Sequence, residues 1–409
     1  MTSAFLAYHL FSAGLQVQYR VEEEGNINNE MEGIPAEPIL TAPMTLEGDS
    51  DNASSHKAPG IVPKVISLFK SVRPGSDLTK FQLPPTFNMP KSQLQSYGEC
   101  VYSIGEDLLG RCAEGKSSLE RFNAAVAWCI STTRPVAFGM APFNPILGET
   151  HHVSMGSLNV LLEQVSHHPP VSALHATDEG RGIELIWCHT PVPRFTGAAV
   201  EGVIQGYRQI RLQNYGENYV MGCPKLVIRF LPIPLVEWVG NVTVRCTESG
   251  LEAILTYKGQ SILGFGGNRV IKGKVFDSLT KTTLYELDGH WDKVVTKKEV
   301  ATGKVSILYH ARKALAGLRT PVLKDKKGLL PSESSLVWAE VSKAILNNDW
   351  DSAREAKKRI EERERKLQRE RASNGISWSP RYFSLVRTKE NGWECSPKKS
   401  LVHAAPIVI

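Results

Sequence analysis

Residues Glu163 to Pro170 read EQVSHHPP. Pro169 and Pro170 fix φ and remove two backbone donors, so the run cannot continue as a central strand, and the residue before each proline is driven towards extended geometry. A rigid turn follows, closing a strand that ends in two histidines. Adjacent imidazoles on such a turn offer N–H donors, and histidine titrates near neutrality, so a bound anion would raise the protonated fraction. That suits a phosphate. The residue types also allow a plainer reading, in which His167 and His168 cap the strand end through backbone hydrogen bonds.

On both sides of this turn, from about 145 to 312, the chain is a series of short apolar or alternating runs: LNVLL at 158–162, IELIW at 183–187, KLVIRFL at 225–231, AILTY at 253–257 and TLYEL at 283–287. Gly, Pro, Asn and Asp divide them, which predicts an antiparallel sheet or barrel. No repeat of 20 to 50 residues is evident. Gly264-Phe265-Gly266-Gly267 lacks the lysine and the strand-loop-helix setting of a phosphate-cradling loop and reads as a bulge or turn.

Helices flank the strands. Ile61, Val65, Leu68, Phe69 and Val72 share one helical face, with Pro63 in the first turn and Pro74-Gly75 as the stop. A second helix is predicted over Ser117–Ser131, ending before Arg134-Pro135. A third, strongly charged, runs from about Asp349, a plausible N-cap, to Arg371. On it Lys357, Glu361 and Arg365 fall at i, i+4 and i+8 and form one stripe. Such a row is ordinarily a solvated face held by weak ion pairs.

Charge is informative by region. Of the formal net charge of +6, residues 1–60 carry nine acidic residues against Arg20 and Lys57, so the remainder holds about +13. Residues 1–58, rich in Glu, Asn, Pro and Ser, read as a disordered or loosely attached acidic arm. The basic body lacks an arginine-rich patch interleaved with aromatics and any helix-turn-helix, zinc-finger or RNP pattern, so an anionic membrane surface is the better partner than nucleic acid. The seven cysteines form no CxxC pair and no zinc spacing, and read as reduced thiols of a cytosolic protein. The opening MTSAFLAYHLFSAGLQV is too short and too polar for a membrane span.

EQVSHHPP, together with PFNPILGET at 142–150, YELDGHW at 285–291, LPSESSLVW at 330–338, the charged helix and the closing Trp378, Pro380, Tyr382 and Phe383, resembles the oxysterol-binding-protein-related lipid carriers. The likeness covers roughly residues 59–392, leaving 393–409 as a C-terminal tail. It implies a β-rich (α+β) fold: a large, nearly closed antiparallel barrel around a lipid tunnel, with an N-terminal helical lid at 61–72 and C-terminal helices. No pleckstrin-homology domain or acidic FFAT-type sequence is recognisable, so a short, single-domain member similar to those of plants and yeast is expected.

The resemblance also implies roles. His167, His168, Asn144, Lys357, Glu361 and Arg365 would hold a phosphoinositide headgroup, and Ile61, Val65, Leu68, Phe69 and Val72 would form the lid. The implied function is to carry a sterol, exchanged for phosphatidylinositol 4-phosphate, as a cytosolic monomer touching intracellular membranes peripherally, without cofactor, metal or catalysis. One position departs from the family. Ala141 stands where many members place a lysine on the headgroup phosphate, and a lost charge-assisted bond of about 1.5–3 kcal/mol would weaken phosphoinositide binding on the order of ten- to a hundredfold.

Two alternatives accompany this reading. A sterol-responsive signalling scaffold needs the same pocket. A metal-dependent hydrolase could draw on His151, His152, His167, His168, His175, His189, Glu149 and Glu163, but neighbouring residues on a strand face opposite ways, and neither HExxH nor a nucleophile elbow occurs.

Overall fold

The computed structural model describes residues 37–44, 46, 61–231, 233–260, 269–388 and 392–409, and excludes the side chains of Ile61 and Val62. The glycine-rich turn at 264–267 and most of the expected arm lie outside the described residues. Its 37–44 segment is attached to the body: Ile39 N donates to Ser335 O at 3.0 Å, and Ala42 O accepts from Lys91 at 2.8 Å.

Helix α1 (Ile61–Leu68) is followed by strand β1 (Asn88–Ser92), then α2 (Gln93–Val101), α3 (Leu108–Glu114) and α4 (Ser118–Ser131). Strand β2 (Ala141–Phe143) pairs with β1 in parallel. Thirteen strands then run largely as a meander: β3 (Thr150–Met155), β4 (Leu158–His167), β5 (Pro170–Asp178), β6 (Ile183–Phe195), β7 (Ala199–Leu212), β8 (Glu217–Met221), β9 (Lys225–Arg229), β10 (Leu235–Cys246), β11 (Leu251–Lys258), β12 (Val270–Asp277), β13 (Thr283–His290), β14 (Val294–Glu299) and β15 (Val305–His310). After them come α5 (Ala311–Ala314), β16 (Val322–Leu323), α6 (Ser334–Val337), α7 (Ala339–Leu346), α8 (Trp350–Ser373), β17 (Phe383–Thr388), β18 (Gly392–Pro397) and β19 (Ile407–Val408).

The main sheet has 15 strands, β3 to β15 with β16 and β19 added beyond β3. Val153 on β3, Val160 and Leu162 on β4, Val295 on β14 and Leu308 on β15 all bury into one cluster. A sheet whose first and last strands share a core must curl, and this one forms an antiparallel, nearly closed barrel. Helix α4 packs against β8, β10, β11 and β15: Arg121–Ser131 are all buried, and Trp128, fully buried, donates from Nε1 to Val101 O at 3.1 Å. Removing a side chain of that size from such a site costs about 3–5 kcal/mol. Ser117 caps α4, accepting from Glu120 N at 3.2 Å.

Period-2 alternation sets the two faces of each strand. On β6, Ile183, Leu185 and Trp187 point into the core while Cys188 points outward. On β4 the same alternation puts Val160 and Leu162 in the core and Glu163 and Val165 on the outer face, where Val165 joins a cluster with Val171, Ala173, Cys188, Phe383 and Cys395. The β17–β18 hairpin covers that outer patch. Residues 392–409 are thus built into the fold through β18 and β19, which corrects the expectation of a tail.

The cysteines need a second correction. Cys188 and Cys395, 207 residues apart, form a disulfide with a Cα–Cα separation of 5.4 Å, while Cys100, Cys112, Cys129, Cys223 and Cys246 are free. Spacing gave no sign of the pair because it arises from packing of the hairpin on β6.

Candidate functional site

The turn read first from the sequence closes the β4–β5 hairpin, where His167 pairs with Pro170 across a cis His168–Pro169 bond. The two imidazoles lie with ring centroids 4.6 Å apart, His167 half-buried and His168 exposed. His167 Nδ1 meets Pro145 O at 3.0 Å, so a proton on Nδ1 is donated to that carbonyl and Nε2 is left for another partner. Burial, reinforced by the neighbouring His168, holds the His167 pKa below its ordinary value. The free site therefore presents a neutral imidazole at pH 7. Asn144, exposed, adjoins the Pro145 contact.

Helix α8 starts as predicted, with Asp349 accepting from Ser352 N at 3.1 Å. Lys357 points inward rather than joining a solvated stripe. Its ammonium donates to Leu83 O and, at 2.8 Å, to Asn88 Oδ1, while Asn88 Nδ2 donates to Ala141 O at 3.2 Å and Pro142 O at 3.3 Å. Asn88 thus links Lys357 to Ala141, the position where the resemblance led one to expect a lysine. Burial, opposed by Glu361, draws its pKa down to about 8. Glu361 and Arg365 form a loose pair at 3.9 Å further along the helix, with Arg365 about half exposed. The structure therefore groups His167, His168 and Asn144 around Pro145, and Lys357 with Asn88 beside Ala141, on the two ends of the short segment 141–145.

The predicted lid is shorter as a helix than its apolar stripe. Helix α1 stops at Leu68, and single turns follow, with Phe69 N to Ile66 O at 3.3 Å and Val72 N to Phe69 O at 3.1 Å. Val65, Leu68, Phe69 and Val72 nonetheless share one apolar cluster with Leu78, Phe87, Phe195 and Phe230. Phe69 stacks on Phe81, Phe195 and Phe230 at centroid distances of 5.5, 5.2 and 5.2 Å. Ile61 lies outside the described side chains.

Two carboxylates of the sequence motifs serve as anchors. Glu149 accepts from the hydroxyls of Ser92 and, at 2.7 Å, Ser334, from Trp338 Nε1 at 2.9 Å and from Ile146 N at 3.0 Å, although burial still raises its pKa. Glu163 accepts from Arg381 N at 2.7 Å and Tyr382 N at 2.8 Å, fastening the closing segment to β4. The remaining histidines do not converge: His151 pairs with Glu333 at 2.7 Å and His175 with Glu184 at 3.0 Å. Among the described residues, no three His, Cys, Asp or Glu side chains gather as metal ligands.

Sequence reasoning missed an interior polar patch. Trp187 and His189 on β6, with Arg208 opposite Trp187 on β7, are 2–3% exposed, and Trp187 Nε1, His189 Nδ1 and Arg208 Nε have no partner. Tyr97 from α2 packs edge-on to His189 at 5.3 Å, and Cys223 Sγ is 3.6 Å from His189 Nε2. The other guanidinium N–H groups reach Thr132, Cys129 Sγ at 3.3 Å and Gly222 O at 2.6 Å. The i, i+2 placement of Trp187 and His189 on an inward face was the available signal.

The family model described as Oxysterol-binding protein matches residues 65–403. Oxysterol-binding protein-related protein 4C of Arabidopsis thaliana is 47% identical over 375 residues, covering 91% of this chain and 98% of the relative, and protein 4B of the same plant is 48% identical with 91% and 97% covered. Among solved structures, the Osh1 ORD domain in complex with cholesterol superposes with a TM-score of 0.71 at 22% identity, covering 88% of this chain and 90% of that one. The Osh3 ORD in complex with PI(4)P, from Saccharomyces cerevisiae, gives 0.61 at 21% identity, with 88% and 94% covered. The barrel with its buried helix, the histidine turn and these likenesses lead to one conclusion: this chain belongs to the oxysterol-binding protein family.

Proposed function

We propose that this protein binds one lipid at a time inside the barrel and carries it between membranes, taking a sterol in one direction and phosphatidylinositol 4-phosphate in the other. The observation that carries the reading is the position of Leu83. Its carbonyl accepts from Lys357, and its side chain packs in the cluster that seats Phe69 and Val65, so a polar headgroup surface and an apolar closure meet at one end of the barrel. The Osh1 structures with cholesterol and ergosterol and the Osh3 structure with PI(4)P support this choice of ligands.

Enclosing a sterol replaces its hydrocarbon surroundings with protein, at about 25 cal/mol per Å² of apolar surface. Its polar end would meet the donors of Trp187, His189 and Arg208. A phosphoinositide would instead leave its headgroup on His167, His168, Asn144, Lys357, Glu361 and Arg365 while its acyl chains occupy the same interior, making the two ligands mutually exclusive. No bond is made or broken in this cycle. The protein would work in the cytosol as a monomer in peripheral contact with membranes; no described helix is long and apolar enough to cross one.

Extraction of labelled sterol and of phosphatidylinositol 4-phosphate from liposomes tests the reading, with wild type and the double variant His167→Ala/His168→Ala. Competition between the two lipids, with only the phosphoinositide lost in the variant, is the expected result. Extraction of sterol alone would mean that Ala141 marks a chain reduced to sterol binding. Extraction of neither lipid would overturn the proposal.

A further inference from the structure

Arg208 on β7 is 3% exposed, and its guanidinium lies between two indoles, 5.9 Å from the Trp128 centroid and 5.8 Å from that of Trp187. The buried Arg121 is matched by Glu217 at 2.6 Å, but among the described residues no carboxylate pairs with Arg208. The titratable groups that act on it are Cys223, Cys129, Tyr257 and Cys100, and burial raises the pKa of each, so all four are neutral at pH 7. One positive charge is therefore buried without a counter-charge. An ion in that position is strongly unfavourable unless an anion joins it.

Three nitrogens of one patch are unmet as well: Arg208 Nε, Trp187 Nε1 and His189 Nδ1. The rings of Trp187 and His189 stack with centroids 5.2 Å apart, and Arg208 is the cross-strand neighbour of Trp187. His189 Nε2 faces Cys223 Sγ at 3.6 Å, so with the thiol donating there the imidazole proton sits on Nδ1 and makes it a third donor. Gly206, opposite His189, adds no side chain to the patch, and a Cβ there would collide with Cys188 O. A hydroxyl or a water accepts two hydrogen bonds and carries no charge, whereas a carboxylate offers about four acceptor positions and one negative charge. Of these, the carboxylate alone meets three donors and a cation together, and a doubly charged phosphate monoester would exceed the single cation.

We propose that the barrel takes a further class of guest, an apolar lipid ending in a carboxylate, inserted with that carboxylate on Arg208, Trp187 and His189. Its hydrocarbon lies along the apolar cluster to which Trp128 and Trp187 belong. Charge-assisted bonds of this kind are among the strongest a protein makes. The inference goes beyond the sterol and phosphoinositide ligands but rests on the same reading of the barrel interior as a lipid site. A phosphoinositide would keep its charge at the mouth, whereas this guest carries its charge inside, so the two enter in opposite orientations.

The test is uptake of oleate and of oleyl alcohol, delivered from cyclodextrin without vesicles. Wild type should prefer oleate, and Arg208→Met should weaken oleate binding by about ten- to a hundredfold and abolish the preference. Trp187→Phe keeps a ring and removes one donor, and should cost less, about threefold to tenfold. Arg208 also donates to Thr132 and to Gly222 O, so a variant there can fail to fold; wild type loaded with oleate labelled at its carboxyl carbon needs no variant. In its NMR spectrum the bound carboxylate should stay ionised well below the pH at which an exposed one protonates. Ordinary titration of the bound oleate, or equal binding of acid and alcohol, would overturn the proposal. A cholanic acid tested beside oleate says whether a ring system or a chain follows the carboxylate: binding of either acid supports the proposal and binding of neither overturns it. Wild type that loads cholesterol but neither acid overturns this inference and leaves the carrier reading, whereas wild type that loads an acid but neither cholesterol nor phosphatidylinositol 4-phosphate does the reverse.

Discussion

The ring of Phe69 stacks on that of Phe230 with centroids 5.2 Å apart and an interplanar angle of 19°. One ring follows the end of α1 and the other ends β9, so a single aromatic contact joins the N-terminal element to the barrel rim. Because Phe69 also stacks on Phe81 and Phe195, this residue is the centre of the closure rather than one contact among many.

Phe69→Ser should therefore release α1 without unfolding the barrel, whose own core is separate from this cluster. Loss of stacked aromatic burial at a half-buried position costs about 2–4 kcal/mol of local closure. A bound fluorescent sterol should dissociate at least about tenfold faster in stopped-flow measurements, with little change in the melting temperature.

Lys357 gives a pH signature. Its pKa near 8 in the free protein rises when an anionic headgroup binds, so phosphoinositide affinity is full below that pH and declines as the pH climbs through about 8. Lys357→Met should weaken binding by about ten- to a hundredfold, corresponding to about 1.5–3 kcal/mol, and should flatten this decline. Sterol binding should show neither effect. Titration calorimetry with a short-chain phosphoinositide at several pH values reads both.

His189 should shape acid stability. Burial first and the charge of Arg208 second push its pKa from 6.5 to about 3. The unfolded chain then takes up a proton as the pH falls below about 6.5 while the folded chain does not, so stability is lost on acidification from there towards about 3. At pH 5 the loss from this residue amounts to about 2 kcal/mol. Urea unfolding of His189→Gln should show a correspondingly shallower fall between pH 7 and 5, with the contributions of His152 and His167, also lowered by burial, unchanged.

The Cys188–Cys395 bond makes a countable prediction. The denatured, unreduced protein should titrate as five thiols and the reduced protein as seven. Cys395→Ser should lower unfolding stability by about 2–4 kcal/mol through release of the long loop and loosening of the β17–β18 hairpin. Seven thiols in the unreduced protein would show that the pair stays open.

Legibility varied by element. Asp349 was readable as a helix cap because capping is settled within three residues of sequence. The strands between 145 and 312 were readable from period-2 runs and turn residues. The ordinary reading of the Lys357 row as a solvated face does not hold for Lys357 itself, because helix periodicity gives the angle between side chains but not what lies opposite, and Asn88 and Leu83 are about 270 residues away. Arg208 was passed over and His189 was weighed only as a metal ligand, because a polar residue on an inward face is distinguished from a surface one only by knowing which face is inward.

The sequence by itself determined the histidine turn, the order of strands and helices, the charged stripe and the family. These rest on local chemistry: proline geometry, side-chain alternation and helix periodicity. Tertiary structure alone decided that α4 packs against β8, β10, β11 and β15, that Phe383 and Cys395 cover Val165, that Cys188 meets Cys395, and that Lys357 reaches Asn88 beside Ala141. Each of these depends on contacts between residues far apart in the chain, and such contacts are selected by the burial of the whole core rather than by any local run of residues.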